Sequence, residues 1–271
     1  MMSKKVMEMV GCQFDIAWED KEKNFKRVRS LLNRRKLSRG SMVVLPEMFA
    51  TGFSMNADRI AERTQGATTR FMRELARDKG VYVLGGLVRR GSGGRTFNEA
   101  VAIAPSGRCI ARYAKLHLFS PGDEPHHYSP GADVTMFRWG SLRVALYICY
   151  DLRFPEVFRL GARRGADVFV VIASWPSQRQ SHWTALLRAR AIENQAYVVG
   201  VNRCGRDPHL SYAGGSIVFN PRGETVASAG RNETVFSAGL EPAAPSDWRR
   251  DFPALQDIRT DFALLTPENP V

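Results

Sequence analysis

The fold is decided by a strand, a turn and a helix start in the stretch Leu142-Arg143-Val144-Ala145-Leu146-Tyr147-Ile148-Cys149-Tyr150-Asp151-Leu152-Arg153-Phe154-Pro155-Glu156. The apolar run 142–148 predicts a buried strand, and Pro155 stands near the first position of a helix predicted over 155–164. Cys149 therefore lies at the rim of a sheet, near free backbone N–H groups and the positive end of a helix dipole. Such surroundings lower a thiol pKa and stabilise an oxyanion, although a cysteine at a strand end is more often a small core residue.

Strands and helices alternate outward from this segment. Strands are predicted over 6–13, 41–45, 81–88, 97–104, 109–115, 134–138, 168–173, 197–201, 213–219, 224–229 and 234–238, and further helices over 21–37, 68–79 and 181–194. Hairpins are mixed with strand–helix–strand crossovers, and no linker or internal repeat is visible. The pattern predicts an α/β protein with two mixed sheets facing each other, helices outside, and one domain over 1–271.

The segment 241–271 is predicted as a C-terminal tail. It contains proline together with Trp248, Phe252, Leu255 and Phe262. These apolar side chains are too many for a short isolated extension, so they either pack on their own chain or cover a neighbouring subunit. The sequence favours neither arrangement.

The composition is that of a globular protein and excludes a disordered chain, collagen and a coiled coil. Of 271 residues, 44% are hydrophobic and 24% charged, and no stretch approaches the roughly 20 apolar residues of a membrane span. The N-terminal segment resembles a first strand and not a signal peptide, which predicts a cytoplasmic protein. The net charge is +12, but the arginines are scattered, so a solvated surface is favoured over a nucleic-acid or membrane partner.

The four cysteines, Cys12, Cys109, Cys149 and Cys204, lie far apart, with no CxxC pair and no histidine at ligand spacing. Neither a disulfide scaffold nor a metal site is predicted. A phosphate-binding loop ending in Lys-Ser/Thr, an HExxH motif and a GxSxG motif are also absent from the sequence.

The distribution of lysine singles out Lys115. The chain has 31 arginines and 8 lysines, yet from Gly80 onward it has 21 arginines and the single lysine Lys115. Chance on a surface is one explanation. The other is that a compact ammonium is needed at the end of this strand, where a guanidinium would not fit.

Glu47 completes a set of three reactive side chains, each just past a strand end. It follows Val43-Val44-Leu45-Pro46, and is either a solvated loop residue or a group directed into the cleft where strand ends meet. With Lys115 and Cys149 it provides what cysteine hydrolysis needs. The thiol attacks, a carboxylate accepts and returns its proton, and a cation stabilises the oxyanion.

With these residues in place, the chain resembles the nitrilase (carbon–nitrogen hydrolase) superfamily. The resemblance is carried by Leu45-Pro46-Glu47, Lys115-Leu116-His117-Leu118-Phe119, Cys149-Tyr150-Asp151-Leu152-Arg153-Phe154-Pro155-Glu156, Ser181-His182-Trp183, Arg188-Ala189-Arg190-Ala191-Ile192-Glu193-Asn194-Gln195 and Asn220-Pro221-Arg222-Gly223. It implies a four-layer α-β-β-α sandwich, a homo-oligomer (a dimer or higher), and no metal or organic cofactor. It also implies a second glutamate in the loop after the lysine. Glu124 is the candidate there, and Asp123 could compete with it.

Within the superfamily, Met48-Phe49-Ala50-Thr51-Gly52-Phe53, His126-His127-Tyr128 and Asp251-Phe252-Pro253-Ala254 look most like the omega-amidase branch. That branch implies a small-molecule substrate, the terminal amide of a short dicarboxylate such as 2-oxoglutaramate or 2-oxosuccinamate. The backbone N–H of Tyr150 would assist Lys115 at the oxyanion, Arg153 would hold the acid end, and Trp175 would form a pocket wall. A nitrile hydrolase or an N-carbamoyl-amine hydrolase would share the same triad.

Two rival hypotheses remain. A papain-like thiol enzyme would pair Cys149 with His117 or His182 instead of Glu47. A non-enzymatic basic binding protein would explain the net charge of +12 without any role for the thiol.

Overall fold

The structure, a computed structural model, describes residues 6–259. Its strands are β1 Met7–Gln13, β2 Met42–Val44, β3 Tyr82–Arg90, β4 Thr96–Ile103, β5 Cys109–Ala114, β6 Met136–Trp139, β7 Leu142–Ile148, β8 Val168–Ala173, β9 Tyr197–Asn202, β10 Cys204–Arg206, β11 Ser211–Ala213, β12 Ile217–Phe219, β13 Thr225–Ser228 and β14 Thr234–Leu240. The helices are α1 Lys21–Asn33, α2 Ala57–Ile60, α3 Ala67–Lys79, α4 Glu124–His127, α5 Pro155–Arg163, α6 Gln180–Asn194 and α7 Ala244–Asp251.

The strands form two six-stranded mixed sheets and one small hairpin. The first sheet has the order β14-β1-β2-β3-β4-β5, the second has the order β13-β12-β9-β8-β7-β6, and β10 pairs with β11 alone. Each large sheet has a parallel centre, β1-β2-β3 or β7-β8-β9, and antiparallel flanks. The predicted pair of mixed sheets is confirmed.

The two large sheets pack face to face. One apolar cluster contains residues of both, including Met9 and Leu84 from the first sheet and Trp139 and Val170 from the second. A second cluster joins the outer face of the first sheet to α1 and α3, and a third joins the outer face of the second sheet to α5 and α6. The layers are therefore α-β-β-α, as the family resemblance implied.

The predicted boundaries differ from the observed ones at several elements. The first helix ends at Asn33, and not at residue 37. The strand predicted over 213–219 is divided into β11 and β12, because Gly214 and Gly215 both have positive φ, a conformation that leaves a strand. The sequence does not predict the one-turn helices α2 and α4, since four residues give too little periodicity to detect.

The part of the C-terminal tail that the structure describes packs on its own chain. Two residues of α7 make these contacts. The ring centroid of Trp248 lies 3.7 Å from the guanidinium of Arg222, and Arg249 donates to the carbonyl oxygen of Ala166 at 2.6 Å. Phe252, just after the helix, is 55% exposed. Phe262 lies outside the described residues. Within residues 6–259, no helix is long and apolar enough to cross a membrane.

Candidate active site

Glu47, Lys115 and Glu124 meet in one buried cluster. The Nζ of Lys115 lies 3.1 Å from Oε1 of Glu47 and 2.7 Å from Oε2 of Glu124. All three side chains have no exposed surface. They come from different parts of the chain: a loop after β2, the residue after β5, and the first residue of α4. The structure thus brings Glu47 and Lys115 together, as the strand-end positions predict.

Close backbone packing fixes the position of Glu47. Gly86 in β3 lies against it, since a Cβ atom at Gly86 would be 2.5 Å from the nitrogen of Met48 and 2.7 Å from the Cα of Glu47. Met48 itself has φ of 44°, which turns the chain sharply after the glutamate. On the other side, the backbone N–H of Ser174, directly after β8, donates to Oε2 of Glu47 at 2.8 Å.

The cluster contains a fourth polar side chain, Asn98 of β4. Its Nδ2 lies 2.7 Å from Oε1 of Glu47 and 2.8 Å from Oε1 of Glu124. Its backbone carbonyl accepts from the N–H of Lys115 at 2.9 Å. The two carboxylates are therefore bridged twice, once by the ammonium of Lys115 and once by the carboxamide of Asn98.

Burial and charge shift the pKa values of the cluster in definite directions. Burial raises the pKa of Glu47, because the carboxylate loses water, and this exceeds the opposing effect of Lys115. Burial by itself lowers the pKa of Lys115, but the carboxylates of Glu124 and Glu47 outweigh it and the net shift is upward. Lys115 is thus a permanent cation, and Glu47 is a stronger base than an exposed glutamate.

The ammonium of Lys115 contacts Glu124 and not Asp123. Besides the lysine, Oε2 of Glu124 accepts the backbone N–H of Phe119 at 2.6 Å. Asp123 has an exposed side chain that pairs with the imidazoles of His126 and His127. Because successive residues at the start of α4 point in different directions, only one of the two acids enters the cluster.

Cys149 lies at a strained turn beside these residues. It has φ of 44°, unusual for a residue with a side chain, between β7 and the short helical segment Cys149–Arg153. Asp151 organises this turn, since its carboxylate accepts from the N–H of Ile148 at 3.0 Å and from the hydroxyl of Tyr113 at 2.7 Å. The turn presents the thiol at the end of the sheet.

The charged groups of the cluster shift the pKa of the Cys149 thiol. Burial raises its pKa and the carboxylate of Glu47 raises it further, while the ammonium of Lys115 and the N–H of Ser174 lower it less. The net shift is upward, so the resting thiol is protonated. Contrary to the expectation from the strand-end position, the surroundings do not lower the thiol pKa, because desolvation and two carboxylates outweigh the cation.

The histidines of the papain-like alternative have other partners. Nδ1 of His117 lies 3.1 Å from Oδ1 of Asp151, and its ring stacks on Phe154. Nδ1 of His182 lies 3.4 Å from Nη2 of Arg153. Within residues 6–259, no hydrogen bond joins the Cys149 thiol to a histidine.

Cys149 forms part of the wall of a cavity. Its walls are aromatic and apolar apart from two arginines, and it is lined by Phe53, Phe119, Cys149, Tyr150, Arg153, Ser174, Trp175, Pro176, Arg179 and Leu210. Arg153 lies over the ring of Trp175 at 4.9 Å and Arg179 over that of Phe119 at 5.3 Å. Among the residues that the structure describes, neither arginine has a carboxylate within ion-pair distance.

Comparisons with known proteins identify the family of this chain. The family model for carbon-nitrogen hydrolase matches residues 11–250. The chain belongs to the carbon–nitrogen hydrolase family. Its resemblance to the nitrilase superfamily is thereby confirmed, and an enzyme is favoured over a basic binding protein.

Two curated relatives are similar over most of their length. A 2-oxoglutaramate amidase of Bacillus subtilis (strain 168) is 32% identical over 255 residues, covering 93% of this chain and 98% of the relative. The omega-amidase YafV of Escherichia coli (strain K12) is 36% identical over 247 residues, covering 90% and 94%.

Two solved structures share the fold. XC1258 from Xanthomonas campestris, described as a CN-hydrolase superfamily protein with an arsenic adduct in the active site, has a TM-score of 0.89 and 33% identity, covering 96% of this chain and all of that one. A mutant of the amidase from Nesterenkonia sp. AN1 has a TM-score of 0.81 and 26% identity, covering 93% and 94%. That amidase mutant shows covalent addition of the acetamide moiety of fluoroacetamide at its active-site cysteine.

The hydrolase also has site residues that sequence reasoning misses. Nothing in the sequence distinguishes Arg179 among 31 arginines. Asn98 carries a weak signal, as a polar residue inside the predicted strand 97–104. Tyr150, Arg153 and Trp175, the predicted oxyanion and substrate contacts, all line the cavity. In residues 6–259, no group of three or more metal-ligating side chains is placed to hold a metal ion.

Proposed function

We propose that the protein is an omega-amidase, which hydrolyses the terminal amide of a small dicarboxylic acid monoamide through a thioester on Cys149. The observation that carries the proposal is the buried Glu47–Lys115–Glu124 cluster at a cysteine whose cavity contains two arginines without a carboxylate partner among residues 6–259. The names of the two curated relatives support the same activity.

In the first step, Glu47 accepts the proton of the Cys149 thiol, and the sulfur attacks the carbonyl carbon of the amide. A base is required because the thiol pKa is raised and the resting thiol keeps its proton. The raised pKa of Glu47 matches this task, since a carboxylate of higher pKa is the better proton acceptor.

Lys115 and the N–H of Tyr150 hold the oxyanion that forms. An ammonium has three hydrogens, and two of those of Lys115 are directed at Glu47 and Glu124. The third is left for the substrate oxygen. Glu124 fixes the ammonium from the far side, so Glu124 is a positioning residue and Lys115 a catalytic one.

The tetrahedral adduct then breaks its carbon–nitrogen bond. Glu47 returns the proton to the departing nitrogen, which leaves as ammonia, and the acyl group remains on sulfur as a thioester. Glu47 next takes a proton from water, whose oxygen attacks the thioester, and Cys149 leaves as a thiol by recovering that proton. The balance is one amide and one water consumed, and one carboxylic acid and one ammonia formed.

The cavity supports a substrate with an apolar middle and an anionic end. Phe53, Trp175 and Leu210 offer apolar walls, and the guanidinium groups of Arg153 and Arg179 can bind a carboxylate in the two-pronged manner of arginine. Substrates of the size of 2-oxoglutaramate or 2-oxosuccinamate have both features. We propose Arg153 as the principal carboxylate contact, with Arg179 beside it.

The test is ammonia release from paired substrates: 2-oxoglutaramate, succinamate, their uncharged amide counterparts, a nitrile and an N-carbamoyl amine. We expect the carboxylate-bearing amides to have the highest kcat/KM, and Arg153→Met to reduce that preference by roughly 10²-fold, as losing a charged hydrogen bond implies. Arg188→Met is the matched control, since Arg188 also lies over a ring, that of Phe219, but does not line the cavity. Higher turnover of the nitrile or the carbamoyl compound would assign the alternative activity.

The oligomeric state and cellular location belong to the same proposal. We propose a single hydrolase domain over 1–271 that assembles as a homodimer or larger homo-oligomer in the cytoplasm, without nucleic acid, membrane or organic cofactor. Light scattering during size-exclusion chromatography measures the assembly directly. A monomer at every concentration tested would contradict it.

A further inference from the structure

The two glutamates of the cluster share one uncharged partner, Asn98. A single nitrogen, Nδ2, lies within hydrogen-bond distance of both Glu47 and Glu124, at 2.7 and 2.8 Å. A carboxamide nitrogen has two hydrogens, so each carboxylate receives one. Asn98 has no exposed surface.

The other end of this carboxamide has no hydrogen-bond partner among residues 6–259. Oδ1 of Asn98 is buried and accepts no hydrogen bond from any residue that the structure describes. An unpaired buried oxygen destabilises the fold, so a native protein keeps one only for a reason. Rotating the amide would direct Oδ1 at two carboxylates, which is worse. In the observed orientation Oδ1 therefore lacks a hydrogen bond, while both N–H groups of the carboxamide are directed at the glutamates.

Charge explains why a neutral donor is needed here. Lys115 is the cation that contacts both carboxylates, and the thiol is protonated at rest. A second cation would lower the pKa of Glu47 further and make it a weaker base, whereas an apolar residue would leave Oε1 of Glu124 without this donor. A carboxamide binds both carboxylates without changing the net charge.

We propose that Asn98 is a positioning residue of the hydrolytic reaction: it holds Glu47 and Glu124 on either side of Lys115 and keeps Glu47 ionised as the base. The backbone of Asn98 adds to this role, because its carbonyl accepts the N–H of Lys115 and so ties the lysine to the same strand. The inference rests on the proposed function, because it assigns Asn98 to that reaction.

The pH dependence of the rate depends on the titratable groups that face Glu47. They are Lys115, Glu124, Cys149 and, through their charges or hydroxyls, Tyr128 and Tyr212. Lys115, Cys149 and both tyrosines have raised pKa values and keep their protons at acid and neutral pH. The acid limb of a rate profile therefore reports Glu47, whose pKa the N–H of Asn98 lowers.

Asn98→Leu, of similar size but without donors, tests the role. The N–H of Asn98 lowers the pKa of Glu47. Its loss raises that pKa, so Glu47 stays protonated to higher pH and the acid limb of kcat/KM moves upward. We also expect kcat to fall roughly 10²-fold with little change in KM, since a mispositioned base slows proton transfer. Asn98→Ser, which can donate one hydrogen, should have a kcat and an acid-limb midpoint between those of the wild type and Asn98→Leu.

Asn194→Leu is the control, because Asn194 is also buried with an unpaired Oδ1 among the described residues but lies at the end of α6. It should change stability and leave the acid limb in place. An Asn98→Leu or Asn98→Ser protein with unchanged kcat and acid limb, or with changes no larger than those of Asn194→Leu, would overturn the inference.

A second readout separates this inference from the proposed substrate. Iodoacetamide alkylates Cys149 without any amide turnover: a sulfur–carbon bond forms, iodide leaves and the thiol proton passes to Glu47. Peptide mass spectrometry gives the rate against pH, and Asn98→Leu should shift that profile upward as well. If no amide is hydrolysed but the shift is present, the proposed function fails, and what stands is that Asn98 controls the protonation of Glu47 as the base for the Cys149 thiol. If amides are hydrolysed and the shift is absent, only the role of Asn98 fails.

Discussion

Lys115 and Glu47 form an ion pair with no exposed surface, with Nζ 3.1 Å from Oε1. They are 68 residues apart in the chain. Glu124 contacts the same ammonium at 2.7 Å, so the site has two carboxylates for one cation. A buried cluster with excess negative charge is costly for stability, which agrees with a role in chemistry.

Removing the cation should destabilise the protein in a pH-dependent way. Lys115→Met leaves two buried carboxylates unpaired, and we expect a loss of ~3–5 kcal/mol in the free energy of unfolding at pH 8. Burial already raises the folded-state pKa of Glu47 above its unfolded value. A group with a raised folded pKa loses stability as pH rises, so the difference from wild type should shrink as pH falls.

Denaturant unfolding across pH measures this effect, with Lys79→Met as the control. Lys79 bonds to Oδ1 of Asn33 at the surface, so its substitution should stay within about 0.5 kcal/mol at every pH. A loss in Lys115→Met that does not vary with pH would contradict the assigned charges.

The pH profile of the wild-type enzyme should show the raised pKa of Glu47. Because Glu47 must be ionised to accept the thiol proton, kcat/KM should rise through an acid limb whose midpoint is above 4.5, the ordinary glutamate value. Initial rates of ammonia release in buffers of constant ionic strength locate the midpoint. A midpoint at or below that value would show that another group is the base.

The close approach at Gly86 gives a test of backbone positioning. Gly86→Ala places a methyl group 2.5 Å from the nitrogen of Met48, so the Glu47 segment must move and kcat should fall by roughly 10²-fold. Gly239→Ala is the matched control, because its methyl group would meet only the exposed side chain of Val6. Equal activities of the two variants would mean that the position of Glu47 is not set by this contact.

The histidines should be dispensable. A protein with both His117→Gln and His182→Gln should keep turnover within about tenfold of wild type, whereas Glu47→Gln should lose roughly 10²- to 10⁴-fold. The reason is that neither imidazole is hydrogen-bonded to the thiol among the described residues. Loss of activity in the histidine double variant, with Glu47→Gln still active, would restore the papain-like alternative.

Residues placed at strand ends could be predicted from the sequence. Glu47 and Cys149 follow short apolar runs, and Lys115 stands out in a segment that otherwise uses arginine. Glu47 and Lys115 follow strands of the first sheet, whereas Cys149 follows β7 of the second, so their convergence also depends on how the two sheets pack against each other.

Residues that act through tertiary contacts could not be predicted. Asn98 lies within β4, opposite Val88, and only the folded register brings its carboxamide between two acids. Arg179 is one arginine among many, and its position on the cavity depends on the loop between β8 and α6. The predicted direction of the thiol pKa is wrong, because the local turn favours a thiolate while distant carboxylates and burial oppose it.

Ammonia release from 2-oxoglutaramate by the wild type and by Cys149→Ala, each verified as folded by circular dichroism, tests the central claim most directly. We expect steady turnover by the wild type and a loss of at least roughly 10⁴-fold in Cys149→Ala, since in the proposed mechanism the acyl intermediate forms on this thiol. Turnover by Cys149→Ala within tenfold of the wild type would contradict it.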